Sequence, residues 1–193
     1  MSHDNAYKLL FSHPEMVADL LKSFVKEAWV SQCDFSTLEK VSGSYVSDDL
    51  RDREDDLIWR VRWGEKWLYV YLLLEFQSTI DHFMAVRIMA YLALLYQDLI
   101  RSEKLGTGDL LPPVLPLVLY NGERRWKAPA HLEQLIQPAP PGLEKYRPQA
   151  AYLILDQGCF GQEELSGLNN LVAALFQLEN SRTAQDIRIF KMC

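Results

Sequence analysis

The sequence predicts a mixed α/β domain built around one sheet, and three features carry that prediction. Residues 56–63 alternate apolar and polar side chains, with Leu57, Trp59, Val61 and Trp63 on one face, which is the two-residue period of a strand. Trp67 to Leu74 is an unbroken apolar run, as expected of a strand buried on both faces and therefore central in its sheet. Around these strands, apolar residues recur every three or four positions in the stretches 14–27, 84–99 and 163–178, as amphipathic helices require. The order is helix, strands, helix, strand, strand, helix, a layered arrangement in which helices cover a mixed sheet.

Each element has local support. Met16, Val17, Leu20, Leu21, Phe24 and Val25 form one helical stripe, Pro14 suits a first turn, and Ser12 or His13 can cap it. A shorter helix precedes it. Residues 31–42 have mixed patterning and give no clear element, and Ser44-Tyr45-Val46 reads as a short strand before the charged connection 48–54. Gly64-Glu65 is a turn, so 56–63 and 66–77 form a hairpin in which Trp63 faces Lys66 and Asp56 faces Leu73. Met84, Ile88, Tyr91, Leu92, Leu95 and Leu99 then define a long helix with Thr79 or Asp81 as its cap. Val114 to Tyr120 is a buried strand in which Pro116 argues for an edge position or a strand start. A proline-rich connection with a short helix near residues 132–136 leads to a strand at 151–155 and the last helix. We expect one domain over residues 1–180 and a weakly patterned tail, 181–193, that is frayed or disordered.

Composition narrows the function. A chain of 193 residues can bury about 70% of its unfolded surface. With 49% hydrophobic and 24% charged residues it is neither collagen-like nor wholly disordered. No apolar run approaches the roughly 18–20 residues of a transmembrane helix, and the first residues carry no basic or apolar leader, so the expectation is a cytoplasmic protein with no membrane partner. The three cysteines are widely spaced and form neither a disulfide framework nor a CxxC knuckle. A net charge of −6 is opposite to that of a passive nucleic-acid binder, yet suits an enzyme that spends carboxylates on a cation. Arg60, Arg62 and Lys66, or Arg124, Arg125 and Lys127, could form a local basic rim.

The hairpin places chemistry at one spot. Glu75 lies two residues beyond the partner of Asp56, on the same face, and such diagonal neighbours are about 7–8 Å apart. A carboxylate ending an apolar strand is costly to bury unless paired or metal-bound. Asp56 and Glu75, with a backbone carbonyl and water, offer hard oxygen ligands suited to Mg²⁺ or Mn²⁺. Such an ion polarises a phosphoryl group and activates water, and Gln77 could orient the nucleophile. The plainer reading is that these carboxylates are salt-bridged to Arg60, Arg62 or Arg87.

A set of ordered blocks then comes into view. His3-Asp4-x-x-Tyr7-Lys8 with Phe11 and His13-Pro14, Ser44-Tyr45-Val46 leading to Asp56-Leu57-Ile58-Trp59, Leu74-Glu75-Phe76-Gln77-Ser78, Arg87-x-x-x-Tyr91, and Pro116-Leu117-Val118-Leu119-Tyr120-Asn121-Gly122 resemble the recombination-promoting nuclease (Rpn) family, also called YhgA-like transposases. The resemblance covers roughly residues 3–125. It implies the PD-(D/E)XK restriction-endonuclease-like fold, with an αβββαβ core, and Mg²⁺-dependent endonuclease cleavage of DNA linked to recombination or mobile elements. Carried over, Asp56 and Glu75 would be metal ligands, Phe76 a carbonyl ligand, and Gln77 the residue in place of the superfamily's lysine. The family's usual E-H-Q-S reads Glu75-Phe76-Gln77-Ser78 here, so a histidine is lost while a backbone ligand survives. Double-strand cutting would suit a homodimer. The alternative is a catalytically weak or inactive member that works as a binding or regulatory protein.

Other groups read as structural or secondary. Asp4 serves the positive end of a first helix, and with Glu15 is a secondary metal candidate because first-helix acids join the site in some nucleases of this fold. Lys8 is a solvated lysine, Asp55 points to the opposite face from Asp56, and Arg87 with Tyr91 could support the carboxylates or the DNA backbone. His82 and His131 have no partners at metal spacing, and Gly106-Thr107-Gly108-Asp109 lacks the lysine of a phosphate loop.

Overall fold

The structure, a computed structural model, describes residues 3–41, 56–75 and 79–190. The chain opens with α1 (His3–Leu10) and α2 (Pro14–Phe24), then a 3-10 turn over Ala28–Gln32. Next come β1 (Cys33–Lys40), β2 (Asp56–Trp63) and β3 (Lys66–Glu75). Helix α3 (Met84–Ser102) precedes β4 (Val114–Tyr120), and β5 (Leu153–Asp156) precedes α4 (Gln162–Ser166) and α5 (Leu171–Phe190). The strands form one sheet in the order β1-β2-β3-β4-β5. The first three are antiparallel, while β3, β4 and β5 run parallel. This is a mixed α/β fold of the PD-(D/E)XK type, with a central mixed sheet flanked by helices.

The hairpin has the expected register. Trp63 pairs with Lys66 and Asp56 with Leu73, without a slip between them. Gly64 carries φ 58°, which places glycine at the first central position, where a two-residue hairpin turn needs it. Strand β3 is the middle strand of the five, and Leu68 to Leu74 are all buried, as its two-sided apolar character requires.

The sheet buries two separate cores. Leu57, Trp59, Val61, Val70 and Leu72 lie under α1, α2 and α5. Phe176 of α5 meets Phe24 of α2 with ring centroids 5.0 Å apart, which locks the last helix onto the second. Ile58, Tyr69, Tyr71 and Leu73 face the other way and pack on Met84, Ile88, Tyr91 and Leu95 of α3.

Several elements differ from expectation for identifiable reasons. Residues 33–40 form edge strand β1, whose register shifts between Asp34 and Glu39, so its alternation is broken. Asp34 also accepts hydrogen bonds from the amide and hydroxyl of Ser36, a local turn inside the strand. Helix α2 stops at Phe24 because Val25 is extended. His13 occupies its N-cap without a side-chain bond, while the Ser12 hydroxyl donates to the Lys8 carbonyl. Neither Thr79 nor Asp81 caps α3; Phe83 holds that position, and Asp81 accepts the Phe83 amide at 2.9 Å just before it. Strand β4 lies inside the sheet, but its pairing with β5 begins only at Leu117, so Pro116 sits where no neighbour on that side is waiting. The final helical stretch is two helices separated at Gly167, the second running to Phe190. Residues 44–46 and 48–55 lie outside the described residues, as does the strand end at Phe76 and Gln77.

Candidate functional site

Asp56 begins β2 and Glu75 ends β3, so the hairpin brings them to one end and one face of the sheet. That face is the one covered by α3. On the opposite side of Asp56 from Glu75 stands Tyr71, paired with Ile58 and therefore on the other diagonal. The Tyr71 hydroxyl, buried at the strand centre, donates to Asp56 Oδ2.

Glu75 is 5% exposed, a burial that an ionised carboxylate tolerates only with a partner. Arg87 supplies it from the first turns of α3, with Nη1 3.4 Å from Glu75 Oε2. The same nitrogen lies 3.3 Å from Asp81 Oδ2, so one guanidinium spans two carboxylates. Tyr91, one helical turn on, orients it by accepting a 3.1 Å hydrogen bond from Nε. The Tyr91 ring stands 5.7 Å from that of Tyr71, which joins the Arg87 and Asp56 contacts through adjoining aromatic rings.

The site continues along the carboxyl ends of the parallel strands. Tyr120 pairs with Glu75, and Asp156 with Tyr120, in one row across β3, β4 and β5. Asp156 is 8% exposed and well satisfied: Arg125 Nη1 lies 2.5 Å from one oxygen, which also accepts the Gly158 amide, and the Trp126 amide donates to the other. The Tyr120 hydroxyl, wholly buried, is held above the usual phenol range, first by burial and then by the charge of Asp156, with Glu75 adding to it and Arg125 opposing. Sequence reading missed Asp156 although it carries the signal that revealed Glu75, a carboxylate closing an apolar strand. Tyr71 was hidden inside an apolar run, where no polarity pattern distinguishes it.

The expected residues divide accordingly. Asp56 and Glu75 share a face, and the plainer prediction that Glu75 meets Arg87 also holds. Arg60 instead pairs with Glu39 and Glu103, and Arg60 and Arg62 cover the Trp67 ring at the far end of the hairpin. Phe76 and Gln77, the proposed carbonyl ligand and lysine replacement, lie outside the described residues. Glu15 is exposed on α2. Among the described residues, no group of three or more histidine, cysteine, aspartate or glutamate side chains is arranged to hold a metal ion. As placed, both carboxylates have protein partners, Asp56 the Tyr71 hydroxyl and Glu75 the Arg87 guanidinium.

Residues 1–192 match the family described as "Putative transposase, YhgA-like". Among curated proteins, the chain is 34% identical over 121 residues to recombination-promoting nuclease RpnA of Escherichia coli K12, an alignment covering 62% of this chain and 40% of that protein. It is 32% identical over 122 residues to recombination-promoting nuclease RpnD of E. coli O157:H7, covering 63% and 46%. It is also 30% identical over 154 residues to the inactive recombination-promoting nuclease-like protein RpnE of E. coli K12, covering 80% and 50%. The chain thus spans half or less of the length of these relatives. No solved structure matches it. No helix among the described residues is long and apolar enough to cross a membrane.

Proposed function

From the premise that the chain belongs to the YhgA-like transposase family, whose relatives here include both nucleases and an inactive nuclease-like protein, we propose that it is a catalytically weak or silent member that binds DNA in a regulatory role. The observation that supports this reading most is that the inactive nuclease-like protein aligns over 80% of this chain, and among the described residues no cluster of metal-ligating side chains stands at the carboxylate pair. DNA would lie across the carboxyl ends of the strands, where open α/β sheets hold their ligands. Arg124 and Lys127 follow β4 at that end and offer phosphate contacts despite the chain's net charge of −6, while Arg125 between them is held by Asp156.

The second reading is the metal-dependent endonuclease, possible chemistry for Asp56 and Glu75 because both stand on one face at one end of the hairpin. Under it Asp56, Glu75 and the Phe76 carbonyl would hold Mg²⁺ or Mn²⁺ beside Gln77, and two copies would cut two strands. It requires Arg87 to leave Glu75.

Two assays separate the readings. Supercoiled plasmid incubated with Mg²⁺ or Mn²⁺ should be nicked no faster by wild type than by Asp56→Ala or Glu75→Ala, while labelled duplex DNA still binds in a salt-dependent manner. Lys127→Ala should reduce the slope of log affinity against log salt by about one unit. Metal-dependent nicking by wild type that both carboxylate variants lose would establish the nuclease instead.

A further inference from the structure

The turn between α1 and α2 brings together two lysines that stand apart from the carboxylate pair. Lys8, in the last turn of α1, is half-buried rather than freely solvated. The Ser12 hydroxyl donates to the Lys8 carbonyl at 2.7 Å and accepts from Lys40 Nζ at 3.0 Å, which ties the end of β1 to the end of α1. The Tyr7 hydroxyl, one residue before Lys8, donates to Gln157 Oε1 at 2.6 Å, so α1 is also fixed to the chain just beyond β5. We infer that Lys8 and Lys40, with Ser12 between them, hold a phosphate of the DNA backbone. This rests on the reading that the chain binds DNA.

Charge and placement carry the inference. Lys26, Arg60, Arg87, Arg101 and Arg125 each stand against a carboxylate. Among the described residues, Lys8 and Lys40 have no such partner. They have each other instead, and Lys40 is held below the ordinary lysine range, first by desolvation and then by the charge of Lys8. Two like charges kept close repel each other, and an anion between them reverses that effect. One of the three Nζ protons of Lys40 goes to Ser12, which leaves two, with the three on Lys8, for phosphate oxygens. Lys40 pairs with Trp59, three residues from the start of β2 at Asp56, and so lies at the sheet end that carries the carboxylates. Arg124 and Lys127 follow β4 at the same end. With strands about 4.8 Å apart, β1 and β4 are separated by about 14 Å, and Asp56 and Glu75 occupy the two strands between them. A DNA strand laid across this end meets positive charge on both sides of the acidic pair.

The test is the salt dependence of duplex DNA binding, followed by fluorescence anisotropy of the labelled DNA. Lys8→Ala and Lys40→Ala should each lower the slope of log affinity against log salt by about one unit, and the double variant by about two. Ser12→Ala, which keeps both charges but releases Lys40, should weaken binding about three- to tenfold at an unchanged slope, as the loss of one hydrogen bond does. Lys26→Ala, beyond the far end of α2 where its lysine pairs with Glu164, should change neither. Lys8→Gln and Lys40→Gln give the same readout should an alanine chain not fold, and their low-salt urea midpoints should not fall, because a like charge has been removed. Unchanged slopes in folded lysine variants, with wild type still binding in a salt-dependent manner, would overturn the inference and leave DNA binding to Arg124 and Lys127. Failure of the glutamine variants to fold would overturn it too, by making the lysines a structural requirement. Absence of DNA binding by wild type would overturn both the inference and the reading beneath it. Inorganic phosphate that shifts the Lys8 and Lys40 side-chain resonances without any binding of DNA would assign the pair to a small phosphate ligand, and the backbone assignment would fall.

Discussion

The two faces of the sheet are built from the same strands yet do different work. Under α1, α2 and α5 the side chains are almost wholly aliphatic or aromatic, and Leu72, Val70 and Trp59 have no polar task to serve beyond the indole N–H of Trp59. Under α3 the strands carry tyrosines, and at one edge of that face, where β2 begins and β3 and β5 end, the apolar pattern gives way to Asp56, Glu75 and Asp156 with Arg87 and Arg125 beside them. The first face holds the fold through area removed from water. The second uses part of that stability to keep charged groups in fixed places.

If that contrast is right, substitutions on the two faces should differ in size and kind. Leu72→Ala, fully buried on the apolar face, should cost about 3 kcal/mol in urea unfolding by opening a cavity. A loss below about 1 kcal/mol would mean that this face is not close-packed. Gly158→Ala should follow at about 2 kcal/mol, because a Cβ there would lie 1.9 Å from Arg125 Nη1 and must push the guanidinium off the buried Asp156. Arg125→Ala in the same background should add little if the two changes break one contact, a double-mutant cycle that checks the mechanism.

Tyr71→Phe should cost about 1.5 kcal/mol by removing the hydroxyl that serves the Asp56 carboxylate. An unchanged unfolding midpoint would mean that the contact is neutral. The smallest effect concerns alkaline pH. Burial raises the phenols of Tyr120 and Tyr152, so the folded chain keeps these protons longer than the unfolded chain does. Their contribution to stability is complete below about pH 10, the unfolded value, and is lost as pH rises from there towards the folded values. Urea midpoints should fall as pH rises above about 10, and tyrosinate absorbance should rise late relative to the unfolded chain.

The sequence legibility of the two faces also differs. Alternation at Leu57, Trp59, Val61 and Trp63 reveals the apolar face directly, and the Gly64 turn fixes the register that sets Asp56 against Leu73. Strand β1 escapes because a register shift and the Asp34 turn disrupt the two-residue period in a half-exposed edge strand. Pro116 misleads because the absence of a β5 partner at that position depends on where another strand begins. On the functional face, Glu75 is conspicuous as the charge that ends an apolar run. Its choice of Arg87 over Arg60 or Arg62 depends on how α3 docks, which periodicity cannot give. Asp156 needed the parallel order of β3, β4 and β5 before its place beside Tyr120 and Glu75 could be seen.

The most direct measurement is a crystal structure of the chain soaked in Mn²⁺, read through the anomalous signal of the metal. The account predicts Arg87 still seated against Glu75 and Asp81, Tyr71 still donating to Asp56, and no manganese between the two strands. Manganese bound by both Asp56 and Glu75, with the Arg87 guanidinium displaced, would contradict it.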